Sequence, residues 1–381
     1  MQKIRVLHCV TAMNRGGLET FIMNYYKNID HDRFDFDFLV QRKGRFDYSD
    51  EIEKLGGRIY RVPAFNPLKI KNYTSAIDSF FATHAGQYDI VHAHNNSFAM
   101  YVLRAAKKYN YPVRISHSHI ADVKSNLIRS CFVAYNKRKL NKVCNARFAC
   151  SRKAGEWLFG KKSFIIVKNA IDLKRFSFNL NTRDAYRNKL KIGEHDILLG
   201  NIGRFENQKN QLFLINVLKT LKEQNINAKL LLIGEGSLEE KIKKCAERGG
   251  VKDDIIFTGI VNNPYDYLNA MDYFVFPSLF EGLGMVVIEA QANGLPCLVS
   301  ETVVHDCKVT PLVSFLPISN GSAIKWANSI EKKTIYNRGN YIKELAKAGY
   351  DINISSKMLE EIYFSLLNRN EISAHKGETC F

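Results

Sequence analysis

Glu281 and Glu289 stand eight positions apart in "FPSLFEGLGMVVIEAQANGLP", residues 276–296, with Gly282 and Gly284 directly after the first acid. "DYFVFPS" reads as a buried strand from its aromatic and β-branched content, and "MVVIEAQAN" as a helix ended by Gly294 and Pro296. Glu281 then belongs to a loop and Glu289 to the body of a helix. Glycines remove side chains where a backbone must approach something closely. Free amides at a helix N-terminus suit phosphate oxygens. A carboxylate one step further along could accept from the two vicinal hydroxyls of a ribose. The competing reading gives Glu281 an electrostatic capping role and Glu289 a surface salt bridge.

The elements that would position these groups follow from the bulk composition and the hydrophobic rhythm. The chain of 381 residues is comfortable for two domains, and 46% hydrophobic with 24% charged residues is ordinary for a packed core. The net charge of +17, from 55 Lys and Arg against 38 Asp and Glu, implies an anionic partner. Eight cysteines are scattered without a C-x-x-C pair, which argues against a zinc or disulfide framework and suits a reducing cytosol. The N-terminal "MQKIRVLHCVTAMNRGG" lacks the apolar run of a signal peptide. No stretch approaches the ~20 apolar residues of a membrane span, so any membrane contact is expected to be peripheral.

Short apolar runs alternate with helical patterns. "KIRVLHCV" (3–10), "FDFDFLV" (34–40), "RIYRVP" (58–63), "DIVHAH" (89–94) and "VRISHSH" (113–119) are strand candidates. The rhythm restarts with "ILLGNIGRF" (197–205), "AKLLLIGEG" (228–236), "DIIFTGI" (254–260), "YFVFPS" (273–278) and "PCLVSE" (296–301). The polar stretch "AIDLKRFSFNLNTRDAYRNKL" between the halves reads as a linker. The expectation is α/β, two Rossmann-like domains facing each other across a cleft, spanning 1–180 and 190–350. The amphipathic helix at about 355–369 is expected to pack back on the first.

The E-G-x-G-x-x-x-x-E run after "FPS" resembles the signature of glycosyltransferase family 4, retaining enzymes of the GT-B fold. So do Gly16, Gly17 and Glu19 in "GG-x-E", Gly203, Arg204 and Lys209 in "GRFENQKN", "LLIGEGSLEEKIK", and "IIFTGIVNNPYDYLNAMDYFVFPS". The resemblance covers nearly the whole chain. It implies a sugar transferred from a nucleoside-diphosphate donor, a UDP-sugar, to a saccharide or polyprenyl-linked acceptor in capsule or exopolysaccharide synthesis. It further implies metal-independent chemistry and no cofactor. Arg204 and Lys209 would neutralise the donor diphosphate, where fixed positive charge stabilises the leaving group. Glu289 would hold the ribose. Glu281 would lie beside the sugar, with Gly282, Leu283, Gly284 and Met285 supplying amides. Gly234, Gly259 and Ile260 would line the nucleotide, and Gly16 and Gly17 the loop near sugar or acceptor.

Other residues admit more than one reading. The family places one histidine at the end of the strand "VRISHSH"; His119 is the favoured match and His117 the alternative, both on one face of an extended segment. His92 and His94 read as second-tier or acceptor-side residues, and no carboxylate accompanies these four histidines to suggest a metal site. Asp35 and Asp37 alternate with Phe34, Phe36 and Phe38, which marks a half-buried strand with a polar face rather than a metal-binding D-x-D. Ser237 and Glu240 have capping-box spacing. Glu19 fits a first helical turn, and Asn169 in "KNAID" stands where the family has N-G-I-D, with Ala170 replacing the glycine.

From Ala121 to Lys162 the chain carries eleven Lys or Arg against Asp122 and Glu156, interleaved with Leu127, Ile128, Phe132, Val133, Tyr135 and Leu140. Such a stretch suits adsorption to an anionic membrane surface at its cytoplasmic face. A merely solvated face is the alternative, and nucleic-acid binding is disfavoured because no recognised module is present. A GT-B epimerase or phosphorylase, or an inactive nucleotide-sugar-binding or lipid-binding subunit, are the rival functions.

Overall fold

The computed structural model describes residues 3–119, 127–331 and 338–368. The chain divides into two units: one runs to Ala170 and resumes at Ile352, and the other is Ile171–Asp351.

The first unit holds β1 (Ile4–Val10), β2 (Phe34–Val40), β3 (Ile59–Arg61), β4 (Ile90–Ala93), β5 (Val113–Ser118), β6 (Ala146–Ala149) and β7 (Ile165–Ile166) in one parallel sheet of order β3-β2-β1-β4-β5-β6-β7. Pairing register sets His8 of β1 opposite His92 of β4. Phe34, Phe36 and Phe38 are fully buried. The other face of β2 keeps Asp35 partly open, where it meets Lys3, but buries Asp37 and Leu39, so the expected polar face is confined to the start of the strand. Asp37 is 4% exposed and is held by Arg5 at 2.7 Å, by the Tyr88 hydroxyl at 2.8 Å and by the Arg58 amide. A parallel sheet is covered on both faces by its crossover helices, so alternation in β2 reports which core each side chain enters rather than solvent. The Gly17–Asn28 helix begins with Glu19 in its first turn. The Ile352–Asn368 helix returns to this unit, where Ile352, Leu359 and Tyr363 enter the core and Glu360 accepts from the Asp30 amide.

The second unit holds β8 (Ile197–Ile202), β9 (Ala228–Ile233), β10 (Ile255–Phe257), β11 (Tyr273–Phe276), β12 (Cys297–Ser300) and β13 (Val313–Leu316), again all parallel, in the order β10-β9-β8-β11-β12-β13. The stretch expected to be a linker is part of this unit. Its Leu180–Lys189 helix sends Arg183 and Arg187 into the interior, where both grip Asp272. Two buried arginines sharing one buried acid, with backbone carbonyls accepting from Arg183 Nη1 and from both Nη atoms of Arg187, anchor the helix to the sheet. Composition alone reads as polar because the burial is ionic.

Candidate active site

In the second sheet the strand order reverses between β8 and β11. Loops leaving adjacent strands at such a reversal diverge, and the opening at their carboxyl ends is the usual ligand position in open α/β sheets. Arg204 and Lys209 lie on the loop after β8, and Glu281 on the loop after β11. Lys209 Nζ donates to Glu281 Oε1 at 2.6 Å and sits 5.1 Å from the centre of the Phe276 ring. The two loops are stitched together elsewhere as well. The Leu279 amide donates to the Gln208 carbonyl, the Gln208 side chain to the Phe280 carbonyl, and the Asn210 side chain to the Pro277 carbonyl. Asn210 takes a left-handed conformation to begin the Gln211–Glu223 helix.

The remaining charges are unspent. Arg204 is exposed and its guanidinium has no partner among the described residues. Glu289 lies on the Met285–Ala292 helix and has no hydrogen-bond partner for its carboxylate among the described residues. It is deep among protein atoms yet keeps a partial opening to solvent, and loss of hydration pushes its carboxyl up to about 7. That helix starts at Gly284, whose φ of 74° is left-handed and whose missing Cβ would lie 3.1 Å from Phe276. The amides of Gly284, Met285 and Val286 find no acceptor among the described residues, which leaves a helix N-terminus open to an anion. The side chains of Leu283 and Met285 turn toward the core, so a ligand could meet only their backbone.

The other expected glycines act on the chain itself. A Cβ on Gly234 would fall 2.3 Å from the Gly203 carbonyl oxygen, and the Gly234 amide donates to the Gly259 carbonyl. The loops after β8, β9 and β10 are thereby packed backbone to backbone. Gly203 leaves room for the Lys209 stem, which passes 3.4 Å from where its Cβ would be. Gly259 has φ +67°, and the neighbouring Ile260 is 61% exposed. Ser237 does not form a capping box. Its hydroxyl and amide go to Glu206, and the next helix starts only at Glu239 with Leu238 as its uncapped first flank. The carboxylate of Glu206, three residues before Lys209, wins that hydroxyl because it arrives from the neighbouring loop.

At the carboxyl end of the first sheet, five imidazoles gather from three strands. His119 Nε2 meets His94 Nδ1 at 2.9 Å, and His94 Nε2 meets His8 Nδ1 at 3.0 Å. A second row runs from the Tyr363 hydroxyl to His92 Nδ1 at 2.8 Å and from His92 Nε2 to His117 Nδ1 at 3.1 Å. Burial drives all five toward the neutral form, His8 and His119 down to about 3 and His92, His94 and His117 well below the usual value. His92 and His94 are therefore interior groups, 1% and 2% exposed, not acceptor-side ones. His117 is fully buried, whereas His119 sits past the end of β5 and is half-buried. His8, the Asn201–Gln211 pair and Glu206 were outside the sequence reading. Asn201, fully buried, donates to the Val275 carbonyl across the β8–β11 gap, and Gln211 donates to the Arg204 carbonyl. Gly17 has open space where a Cβ would stand, while at Gly16 that space is taken by the Glu19 carboxylate.

Two family models match the chain: "Glycosyltransferase Family 4" over residues 15–175 and "Glycosyl transferases group 1" over residues 182–332. EpsF of Bacillus subtilis (strain 168), which is named as a glycosyltransferase, is 33% identical over 374 residues, covering 94% of this chain and 96% of its own. The chain belongs to the family 4 glycosyltransferases. Two further relatives of this glycosyltransferase are CapH of Staphylococcus aureus, named for capsular polysaccharide biosynthesis, and a galactosyltransferase of Escherichia coli. CapH is 27% identical, over 95% of this chain and 99% of its own. The E. coli enzyme is named as acting from UDP-Gal on α-D-GlcNAc-diphosphoundecaprenol and is 25% identical, over 81% of this chain and 82% of its own. Among solved structures, Anabaena HepE in complex with UDP matches with a TM-score of 0.74 at 18% identity, covering 96% of this chain and 100% of that one. The glycosyltransferase thus has the GT-B fold.

Proposed function

We propose that this glycosyltransferase moves a hexose-type sugar from a UDP-sugar, with retention of anomeric configuration, to a hydroxyl of a polyprenyl-linked saccharide during surface-polysaccharide synthesis. The observation that carries the reading is the group of unspent charges around the β8–β11 reversal: among the described residues Arg204 and Glu289 have no side-chain partner and a helix N-terminus has open amides. A donor supplies what each lacks. The diphosphate takes Arg204, Lys209 and the amides at Gly284 to Val286. The two ribose hydroxyls donate to the Glu289 carboxylate, which must be ionised to accept both.

Lys209 is shared. In the ligand-free chain Glu281 holds its ammonium, so the lysine is aimed before the donor arrives and need not be immobilised on binding. Glu281 then faces the sugar with one carboxylate oxygen still tied to Lys209. As the glycosidic C–O bond lengthens, negative charge builds on the leaving phosphate, and Arg204, Lys209 and the helix amides are already oriented for it. The same phosphate accepts the proton of the incoming hydroxyl on the face it leaves, which retains the configuration. His119, the more accessible of the strand-end histidines, orients a donor hydroxyl. No metal is required in this scheme, because side chains and amides carry the charge compensation.

The lipid-linked acceptor draws on the named substrate of the E. coli relative and on a basic face of the first unit. Arg138, Lys139 and Lys142 of the Leu127–Val143 helix are exposed beside Arg104 and Lys107 of the Ala99–Lys108 helix it packs on, with Tyr135 54% exposed among them. The apolar residues interleaved with the basic ones do not all present to a membrane: Leu140 is buried and Phe132 packs on Phe65 and Phe98. Residues 120–126, the start of the basic stretch, lie outside the described residues. No described helix is long and apolar enough to cross a membrane, so the contact proposed is peripheral, on the cytoplasmic leaflet. A panel of nucleotide sugars with and without EDTA tests the reaction. Release of UDP from one donor, unchanged by EDTA and requiring an acceptor, is expected; no release from any donor would contradict it. Sedimentation with anionic and neutral vesicles tests the surface, and equal, salt-insensitive partitioning would count against it.

A further inference from the structure

The histidine cluster of the first unit has a proton inventory that does not close. In the row His119–His94–His8, three neutral rings carry three protons, and the two N···N contacts use two of them. Among the described residues, His8 Nε2 and His119 Nδ1 end the row with no partner, and so does His117 Nε2 in the other row. A buried polar atom left this way is costly, and of the three it is His117 Nε2 that a ligand held between His94, His117 and His119 would take.

We propose that His94, His117 and His119 bind one divalent late-transition-metal ion. Their ligating nitrogens all lie within 4.8 Å of one another, and the His117 and His119 ring centres are 4.0 Å apart. Tetrahedral zinc holds imidazole nitrogens roughly 3.3 Å apart, so side-chain shifts of about 1 Å complete the site. Imidazole suits zinc, nickel and copper, while magnesium and calcium prefer oxygen.

The outer partners already exist. A metal-bound imidazole donates its other N–H to an acceptor, which fixes the ring. His117 binding through Nε2 leaves its Nδ1–H for His92 Nε2, and His92 in turn gives its Nδ1–H to the Tyr363 oxygen. His94 binding through Nδ1 leaves its Nε2–H for His8 Nδ1. Each ring keeps one proton, so no proton must leave the protein. The alternative trio, His8, His92 and His94, is less suited: all three are at most 2% exposed, and His92 has both nitrogens engaged. The chosen trio ends at half-buried His119, which gives the ion a way in. Occupancy would tie up His119. If that residue orients the donor as proposed above, the ion inhibits transfer rather than assisting it.

The test uses the full chain and does not depend on activity. Zinc is titrated against a chromogenic chelator, and cobalt(II) is followed by its visible absorption. The expected result is one zinc per chain and the intense bands of four-coordinate cobalt. His119→Ala, at a half-buried strand end, should lower zinc affinity by at least ~100-fold, at or beyond the upper range for losing an outer partner. His195→Ala, at an exposed site, should leave it unchanged. Absence of stoichiometric zinc in the wild type overturns the proposal. So does zinc retained in His119→Ala, or zinc lost in His8→Phe while His119→Ala keeps it. If zinc binds as predicted but does not slow transfer, the site stands and the role given to His119 falls.

Discussion

The carboxyl ends of the two sheets are built from opposite materials. The first gathers five rings that burial keeps neutral and that spend most of their hydrogen-bonding capacity on one another. The second gathers formal charges and leaves two of them, Arg204 and Glu289, without partners among the described residues. Similar parallel topologies therefore serve different ends. Interior neutrality in the first makes the fold depend on pH, while unsatisfied charge in the second makes binding and turnover depend on single side chains. Changes at the first end should register in stability, and changes at the second in donor binding and transfer.

The largest expected effect is acid lability of the first unit. His8, His92, His94 and His117 are nearly inaccessible and their folded values lie far below the ordinary one. The unfolded chain then binds more protons than the folded one once pH falls through about 6.5, and stability falls with it. The upper bound is about 1.4 kcal/mol per pH unit for each histidine. The two tryptophans separate the units, Trp157 reporting the first and Trp326 the second. Single-tryptophan variants melted between pH 7 and pH 5 should lose the Trp157 transition first. Coincident, pH-insensitive transitions would break the contrast.

Next in size is transfer. Arg204→Ala and Glu289→Ala should each lower kcat/KM by at least ~10²-fold, the scale of one preorganised electrostatic contact. Their melting temperatures should stay near wild type, since neither side chain has a partner to lose among the described residues. Near-normal turnover, or unfolding without loss of specific activity, would contradict the reading.

A smaller effect concerns pH and donor affinity. Burial raises Glu289 to about 7 in the free chain, so below that value its carboxyl holds a proton that ribose binding must displace. Affinity for a UDP-sugar, whose diphosphate charge is fixed in this range, should fall by up to about tenfold per pH unit below 7 and level off above it. Calorimetry should show this slope in wild type and not in Glu289→Gln. Smallest is Gly284→Ala, which places a side chain at φ 74° and 3.1 Å from Phe276. It should cost about 1 kcal/mol of stability, read as a lower urea midpoint.

The sequence made the second sheet end more legible than the first for a physical reason. Arg204, Lys209, Glu281 and Glu289 sit in short loop-to-helix segments where spacing along the chain equals position in space. Strand cores were equally visible, with β2 found at Phe34–Val40 as its Phe-Asp alternation indicated. Three strands were not: β6 (ARFA) and β13 (VSFL) break their apolar run with Arg or Ser, and β7 is only two residues long, so none shows the unbroken β-branched or aromatic run that marked the others. His8 escaped because it lies 84 residues from its register partner His92, and only parallel pairing unites them. The Leu180–Lys189 helix was missed because its buried anchors are arginines. Ser237 followed a local rule that a distant carboxylate, Glu206, overrode.

The most direct trial of the account is a crystal of this chain soaked with UDP. The expected density puts the diphosphate against Lys209, Arg204 and the amides beside Gly284, and both ribose hydroxyls on the Glu289 carboxylate. Nucleotide bound at measurable affinity but away from the β8–β11 reversal would refute it.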